Sequence, residues 1–313
     1  MSQKEVGQKR FDVAPGWYEP IPPTRSVDEM RELMPLLVEQ VTPLSRPEAQ
    51  ALPEARSIFM DFVAHLELGT IRCAERKEDG TWETNHDARQ MIDVGFKLGD
   101  IVAMSRDGDI LPVYDRDTYP PQQFSDYAAR SIRMIATGLA RRGSHIGNRV
   151  TFMNGAYANV GAVIEDDTML DTNALTGSAA QIGKRCHISA NAMIAGVLEP
   201  KSAEPNIVED DVFMGAGSMI AEGVVLRRGS ALAMGTRLHY STPLYDVVNE
   251  KIIKPQGQRL YVPENALVIP GTHPLTSGFA RKHGLAAEAA IIVKYYDPNA
   301  TMPERRSINY NLR

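Results

Sequence analysis

The chain has 313 residues, 43% hydrophobic and 23% charged, and its 34 basic and 39 acidic residues give a net charge of −5. This composition is typical of a soluble globular protein with two or three structural units, and it predicts neither a nucleic-acid-binding surface nor a membrane-spanning segment. Two cysteines, Cys73 and Cys186, are too few for a disulfide framework or a zinc site. They indicate buried thiols in a reducing cytoplasm.

The first predicted segment, residues 1–25, is polar and rich in proline, so we expect an extended arm and no signal peptide. Apolar residues then recur at helical spacing from Val27 to about Leu66. Pro43 and Pro53 interrupt this pattern, which predicts several helices separated near these positions.

The next segment predicts a hairpin of two short strands around the Asp79-Gly80 turn. The stretch "HDARQMIDVGFKLGD" that follows has the spacing of another amphipathic helix. Residues 26–110 are therefore expected to form a small α/β domain, and residues 111–140 a proline-rich connection.

A six-residue period begins after this connection. Every sixth position from Ile146 is large and apolar in 13 of 15 cases, the exceptions being Ala158 and Thr176. The positions are Ile146, Phe152, Ala158, Ile164, Leu170, Thr176, Ile182, Ile188 and Ile194, then Val208, Met214, Ile220, Leu226, Leu232 and Leu238. The segment "LEPKSAEPN" interrupts the series.

The fifth residue of nearly every unit is small or β-branched, as at Val150, Ala156, Ala174 and Ser218. A six-residue unit suits a short strand plus a corner, and three such units close one triangular coil. Coils stacked at roughly 4.8 Å would give a prism of five coils about 24 Å long. We expect this prism over residues 141–240, with flat outer faces that associate with other subunits.

This period resembles the hexapeptide repeat of left-handed parallel β-helix proteins, most of which are trimeric acyltransferases. The resemblance implies a mainly-β fold: a left-handed parallel β-helix of hexapeptide repeats, preceded by the N-terminal α/β domain and followed by a small C-terminal extension over residues 241–313. The handedness and the homotrimer follow from the resemblance, not from the spacing.

Longer motifs resemble one family more specifically. "MLDTNALTGSAAQIGKRCHIS", "AGVLEP" and "IVEDDVFMGAGSMIAEGV" are similar, in order and spacing, to the core of the tetrahydrodipicolinate N-succinyltransferases of the diaminopimelate–lysine pathway. The resemblance covers roughly residues 30–300. It implies an acyl-CoA co-substrate and an amino dicarboxylate acceptor bound between subunits. We expect no metal, nucleic acid or membrane as a partner.

Family residues can be carried over at four positions. The catalytic aspartate falls on Asp171, which is also implied to bind substrate, and a substrate-binding arginine falls on Arg133. Gly235 and Lys294 are implied to contact CoA. Each has a structural alternative: a corner aspartate that caps its own turn, a surface arginine, a turn glycine and a solvated strand lysine.

The chain departs from the family pattern in the segments that would line one cleft. Met219 stands in place of the family glutamate, Gly217 in place of an arginine and Asn173 in place of a tryptophan, all three at expected substrate-binding positions. Residues 190–196 read "ANAMIAG" where the family has a glycine-rich run. Glu222 is expected on a different face and is a poor replacement for the missing glutamate.

These departures leave three interpretations open. The chain is a divergent N-acyltransferase with a changed donor or acceptor, as in the tabtoxin-pathway homologue of secondary metabolism, with acetyl-CoA as the suspected donor. It is otherwise an ordinary N-succinyltransferase, or a CoA-binding scaffold without turnover. His145, His187 and His239 lack the spacing of a metal site, and His187 and His239 are minor candidates for a catalytic base.

Overall fold

The computed structural model describes residues 22–104, 114–122 and 126–306. Most of the expected N-terminal arm and the expected domain boundary at residue 110 lie outside these ranges. No helix in the described part of the chain is long and apolar enough to cross a bilayer.

The N-terminal unit is a helical layer with two small strand pairs. Ser26 and Glu29 form a reciprocal capping box that starts the first helix, and Ser45 and Glu48 repeat this arrangement at the second. The helices span Val27–Val41, Arg46–Gln50, Ala55–Leu68 and His86–Leu98. The helix breaks near Pro43 and Pro53 and the final helix agree with the sequence predictions.

The two strand pairs are antiparallel. Ala74–Arg76 pairs with Trp82–Thr84 around the predicted Asp79-Gly80 turn. Ile101–Ala103 pairs with Tyr114–Arg116, so one strand of this pair lies on each side of the expected boundary at residue 110.

The central unit is a prism of parallel strands, in which each strand pairs with the strand one coil earlier and one coil later. Face 1 begins at Arg133, face 2 at Leu139 and face 3 at His145. Face 1 contains Arg133–Met134, Thr151–Phe152, Met169–Leu170, His187–Ile188, Phe213–Met214, Ala231–Leu232 and the start of Ala266–Pro274. Face 2 contains Leu139–Ala140, Tyr157–Ala158, Leu175–Thr176, Met193–Ile194, Met219–Ala221 and Arg237–His239. Face 3 contains His145–Ile146, Val163–Ile164, Gln181–Ile182, Ile207–Val208, Val224–Leu226 and Leu260–Val262.

The predicted period corresponds to the inward-facing position of each strand. Phe152, Leu170, Ile188 and Met214, all on face 1, are each completely buried in one continuous core. The neighbouring residue of each strand points outward because side chains alternate along a strand. The ladders extend beyond residues 141–240 at both ends, from Arg133 to Val268.

Two segments leave the prism, and both leave between a face 2 strand and a face 3 strand. The first, at residues 195–206, lengthens the step between the paired residues Gln181 and Ile207 beyond three repeat units. The second follows His239 and lengthens the step between the paired residues Val225 and Tyr261 still further. It carries the hairpin of Leu244–Asp246 and Lys251–Ile253.

The C-terminal segment forms a long antiparallel hairpin and two short helices. Ala266–Pro274 pairs with Ala286–Tyr295, and the helices span Gly278–Lys282 and Met302–Arg306. This segment covers the later coils of face 1, where Phe213 packs against Tyr296 and Met302.

The three faces differ in what covers them. The N-terminal unit packs on face 3, where the outward residues Ile207 and Val225 are fully buried beside Ala74 and Trp82. Face 2 instead presents a column of half-exposed, mostly apolar side chains. The column consists of Leu139, Tyr157, Leu175, Met193 and Met219 and ends at the exposed Arg237.

Candidate active site

The edge between faces 1 and 2, here called edge 1/2, collects most of the predicted site residues. Its corners contain a column of residues in the left-handed backbone region, with φ of 57° at Asn173, 66° at Gly217 and 72° at Gly235. Asp171 lies two residues before Asn173 in the same corner. The coil register therefore aligns these residues along one side of the prism.

Asp171 divides its carboxylate between two contacts. Oδ1 accepts a hydrogen bond of 2.7 Å from the backbone N–H of Thr172, as the structural alternative predicted. Oδ2 lies 3.6 Å from Nε2 of His187, which is too long for a hydrogen bond but within ion-pair range. The turn thus holds one oxygen and leaves the other facing an imidazole.

His187 is the outward residue of the next coil on face 1, where its strand pairs with that of Met169. Its ring packs edge-on against Phe213 with a centroid distance of 5.6 Å. The side chain of His187 is only 12% exposed and that of Asp171 28% exposed. Both groups lie at a partly desolvated surface, where charged contacts are stronger than in bulk water.

Arg133 is exposed two coils before Asp171 on the same side of the prism. Its Nη2 lies 3.1 Å from Sδ of Met153. Met153 occupies the position of Asp171 one coil earlier, so the guanidinium lies beside the coil that precedes Asp171, and successive coils are roughly 4.8 Å apart. Met153 is the side-chain partner of Arg133, and the guanidinium forms no ion pair with any described residue, so its charge is available to a ligand.

Edge 1/2 also carries backbone amides that remain unused. The N–H groups of Ala190, Ala216 and Met234 have no acceptor within the described residues. By contrast, the N–H groups of Gly217 and Gly235 donate to Ala190 and Ala216 at 3.0 Å. A ligand at this edge would therefore accept hydrogen bonds from the residues just before the two glycines, and not from the glycines themselves.

Gly217 and Gly235 have a clear backbone explanation. Both adopt positive φ, and a Cβ added at either would meet no atom within 4 Å. Glycine suits this conformation, and its small size leaves an open groove along the later coils of the edge.

Met219 and Asn173 are less directly connected to Asp171. Met219 points outward on face 2 two coils later, roughly 10 Å along the prism axis. Asn173 is exposed at its corner, and its Nδ2 donates to Oδ1 of Asn191 at 3.4 Å. This contact joins Asn173 to the next corner, which contains the segment 190–196. One protomer therefore does not bring Met219 to Asp171.

Lys294 lies on the C-terminal strand, where it pairs with Leu267. Its ammonium stands 4.4 Å from the ring centroid of Tyr296. It is thus at the far end of the prism from Arg133, consistent with contact to a long ligand but not with contact to the Asp171–His187 pair.

The other two histidines have separate partners. His145 is largely covered by the N-terminal unit; burial lowers its pKa, and Nδ1 lies 2.8 Å from the carbonyl oxygen of Glu67. His239 Nε2 lies 3.2 Å from Glu222 at the edge between faces 2 and 3. Glu222 is thus on a different edge from Asp171, as predicted. Among the described residues, no group of three potential ligands could hold a metal ion.

The contact between His187 and Asp171 was not predicted, although His187 was a minor candidate for a catalytic base. The signal was present, because His187 follows Met169 by one full coil of three repeat units and Asp171 lies two residues after Met169. The coil register places the two side chains on adjacent coils at one edge.

The prism of stacked six-residue repeats defines the chain as a hexapeptide-repeat protein. Residues 205–239 match the family model described as the hexapeptide repeat of succinyl-transferase. A 2,3,4,5-tetrahydropyridine-2,6-dicarboxylate N-succinyltransferase from Polynucleobacter asymbioticus is 38% identical over 85% of this chain and 92% of its own. The enzyme of the same name from Nitrobacter winogradskyi is 35% identical over 83% and 89%.

The chain belongs to this N-succinyltransferase family and is an acyl-CoA-dependent N-acyltransferase. The predicted fold class, a left-handed parallel β-helix with a helical N-terminal region, is confirmed. A solved structure of PerB from Caulobacter crescentus with CoA and GDP-perosamine covers 44% of this chain and 51% of its own. Its 18% identity and TM-score of 0.30 are too low to bear on function.

Proposed function

We propose that this enzyme transfers an acyl group from acyl-CoA to the amine that forms when water adds to the cyclic imine of tetrahydrodipicolinate, or to the amine of a closely related amino dicarboxylate. The observation that carries the proposal is the Asp171–His187 pair, with Oδ2 and Nε2 separated by 3.6 Å at edge 1/2. Relatives that are at least 35% identical carry this acceptor in their names, which supports the choice of acceptor.

The pair suits the proton chemistry of amide formation. A substrate ammonium beside the two atoms can donate to Asp171 while neutral His187 accepts its proton. The free amine then attacks the thioester carbonyl carbon, the C–N bond forms and the C–S bond breaks. The attacking nitrogen loses its second proton, which the departing CoA thiolate takes up.

The edge amides suit the developing oxyanion. The N–H groups of Ala190 and Ala216 are unused and lie on the same edge as Asp171, where a negative charge on the thioester oxygen would be stabilised. In the proposed arrangement, CoA lies along the groove at Gly217 and Gly235 towards Lys294, and Arg133 binds a substrate carboxylate.

We further propose acetyl-CoA as the preferred donor, in secondary metabolism like that of the tabtoxin-pathway homologue. A succinyl group carries a carboxylate that needs a cationic partner, since an unpaired buried charge is costly. At the expected site Met219 is a thioether and Gly217 has no side chain. Arg237, the next residue in the Met219 column, is already paired with Glu288 at 2.7 Å.

The proposed assembly is a homotrimer with its sites at subunit boundaries. Face 3 is covered by the N-terminal unit and the later coils of face 1 by the C-terminal segment. The apolar column on face 2 is therefore the surface offered to another subunit, which would also bring Met219 to a neighbour's edge 1/2.

Parallel kinetics with acetyl-CoA and succinyl-CoA test the function. With 2-aminopimelate as a stable acceptor, thiol release should show kcat/KM at least about ten-fold higher for acetyl-CoA, or roughly 1.4 kcal/mol. Equal or better use of succinyl-CoA would identify an ordinary N-succinyltransferase. CoA binding without thiol release from any donor would identify a scaffold.

A further inference from the structure

The outer half of the C-terminal hairpin projects away from the prism. The first strand of this hairpin pairs with face 1 through Leu267 and Val268, near its beginning. Residues 271–288, here called the hairpin arm, pair with one another or form the turn between the strands. All of them are described, and Ala280 alone is buried. A two-stranded hairpin that is uncovered on both sides is marginally stable in water, so the arm is suited to contact a further molecule.

The arm begins at the end of the groove on edge 1/2. The N–H of Ala233 donates to the carbonyl oxygen of Val268 at 2.8 Å, so the strand passes face 1 beside the corner of Gly235. Arg237, the first residue of the face 2 strand after this corner, donates from Nε to Glu288 of the arm at 2.7 Å. The arm therefore extends past edge 1/2 at the coil that follows Gly235.

The separation between the arm and Asp171 matches the length of CoA. Ile269, which lies just before the arm, occupies the position of Asp171 four coils later, about 19 Å along the prism axis. The extended pantetheine chain spans about 16 Å from sulfur to the first phosphorus, at about 3.8 Å for every three bonds. CoA that follows the groove with its thioester beside Asp171 therefore brings its nucleotide end to the arm.

The turn of the arm carries two adjacent cations. Arg281 and Lys282 are exposed, and neither forms an ion pair or a side-chain hydrogen bond with any described residue. Glu288 is the only acidic residue of the arm, and it is already paired with Arg237. The turn therefore presents positive charge in a chain whose net charge is −5. Guanidinium and ammonium groups are the side-chain partners that phosphate prefers.

An exposed aromatic ring lies in the same short helix, Gly278–Lys282. Phe279 is 70% exposed, and its ring centroid is 4.4 Å from that of His283. Exposed aromatic rings beside cations suit nucleobases, because every base has a face on which a ring can stack. The arm thus offers both kinds of contact that a phosphorylated nucleoside requires.

We propose that the hairpin arm binds the 3′-phosphoadenosine end of CoA. Arg281 and Lys282 contact the 3′-phosphate, and the ring of Phe279 stacks on the adenine. This inference rests on the proposed course of CoA along edge 1/2. The arm is thereby the part of the enzyme that distinguishes CoA from shorter pantetheine thioesters.

Calorimetric titration of the intact enzyme with three probes tests this site. CoA carries the whole nucleotide, dephospho-CoA lacks the 3′-phosphate, and 4′-phosphopantetheine lacks the nucleoside as well. We expect CoA to bind at least about five-fold more tightly than dephospho-CoA, a modest preference because solvent screens exposed charges. Equal affinities for CoA and dephospho-CoA would overturn the proposal.

Variants of exposed residues locate the contacts. The double variant Arg281→Ala/Lys282→Ala should bind CoA only as tightly as dephospho-CoA, with its affinity for dephospho-CoA unchanged. Lys254→Ala, an exposed lysine of the segment after His239, is the matched control and should keep the wild-type preference. A double variant that keeps this preference would refute the phosphate contact.

Phe279→Ala isolates the adenine contact. It should weaken both CoA and dephospho-CoA at least about five-fold and leave 4′-phosphopantetheine unchanged, because only the first two contain a base. An unchanged affinity for CoA would refute the stacking, and a lower mass in light scattering would assign the arm to a subunit contact instead.

Thiol release from acetyl-CoA separates this inference from the proposed function. Release without any preference for CoA over dephospho-CoA would refute the arm site and leave acyl transfer in place. A preference for CoA without thiol release would refute acyl transfer and leave the arm site in place.

Discussion

Asp171 illustrates how a single side chain serves the corner and the chemistry together. The turn uses Oδ1 through the N–H of Thr172, and this contact holds Oδ2 towards His187. A corner aspartate without a facing imidazole would have only the first role. The function of Asp171 therefore depends on a residue of the following coil, which the coil register brings to it.

Replacing Asp171 tests this second role. Asp171→Asn should lower turnover at least about a hundred-fold while leaving CoA binding and assembly unchanged, because the amide cannot stabilise the ammonium or imidazolium. The matched control is Asp166→Asn, a corner aspartate whose Oδ1 accepts from Asn148 N–H on another edge. If Asp171→Asn retains more than half of the wild-type rate, the carboxylate is structural.

His187 should matter for turnover because its imidazole can accept the amine proton. His187→Gln should reduce kcat at least about a hundred-fold with little change in CoA affinity, as steady-state kinetics and CoA titration would measure. The matched control is His239→Gln, whose imidazole lies beside Glu222 on another edge and should leave kcat unchanged. A His187→Gln variant with more than half of the wild-type kcat would make the imidazole structural.

Among the elements, the segment after His239 is attached to the C-terminal strand by a parallel strand pairing, Leu244–Asp246 with the strand Ala286–Tyr295, and by one buried carboxylate. Asp246 is only 1% exposed and accepts from Tyr295 Oη at 2.7 Å and from Asn249 Nδ2 at 2.9 Å. Burial alone would raise its pKa, but these hydrogen bonds outweigh burial and lower it. Burial and the same carboxylate raise the pKa of Tyr295 to about 12.

The lowered pKa of Asp246 predicts a loss of stability in acid. The unfolded chain has an ordinary aspartate pKa of about 3.9, so the contribution is complete above this value and disappears as the pH falls through the folded-state pKa below it. Asp246→Asn should reduce the free energy of unfolding by about 1–3 kcal/mol at pH 7. Chemical denaturation should show this difference shrinking below about pH 4, while Glu39→Gln, an exposed control, should show no such trend.

At the scale of the whole molecule, the apolar column on face 2 predicts the assembly. Met193→Glu would place a charge in the middle of the subunit contact and should convert a trimer into species of 34.5 kDa. Light scattering at micromolar concentration measures this directly. Leu68→Glu, which changes an exposed leucine in the N-terminal unit, should leave the mass unchanged; a monomeric wild type would refute both the trimer and the shared site.

The sequence predicted the regular coils because each inward position needs one large aliphatic side chain, as at Leu170 and Ile188. It did not predict the first coil, where the inward residue Ala140 is small. It also did not predict the strand that begins at Leu260, because the long segment after His239 interrupts the six-residue period. Asp171 was found by motif, and its contact with His187 requires the coil register. The hydrogen bond from Trp82 to Glu209 joins residues that are far apart in the chain and meet only through tertiary packing.

The two segments that leave the prism have an evolutionary consequence. The second is longer than the first, yet both depart at the same corner and the ladder resumes in phase after each. Both long segments thus lie at the corner between faces 2 and 3, while the corners of edge 1/2 from Met153 to Met234 keep the regular stacking of the coils. A loop can therefore be gained or lost at the corner between faces 2 and 3 without moving Asp171 relative to His187.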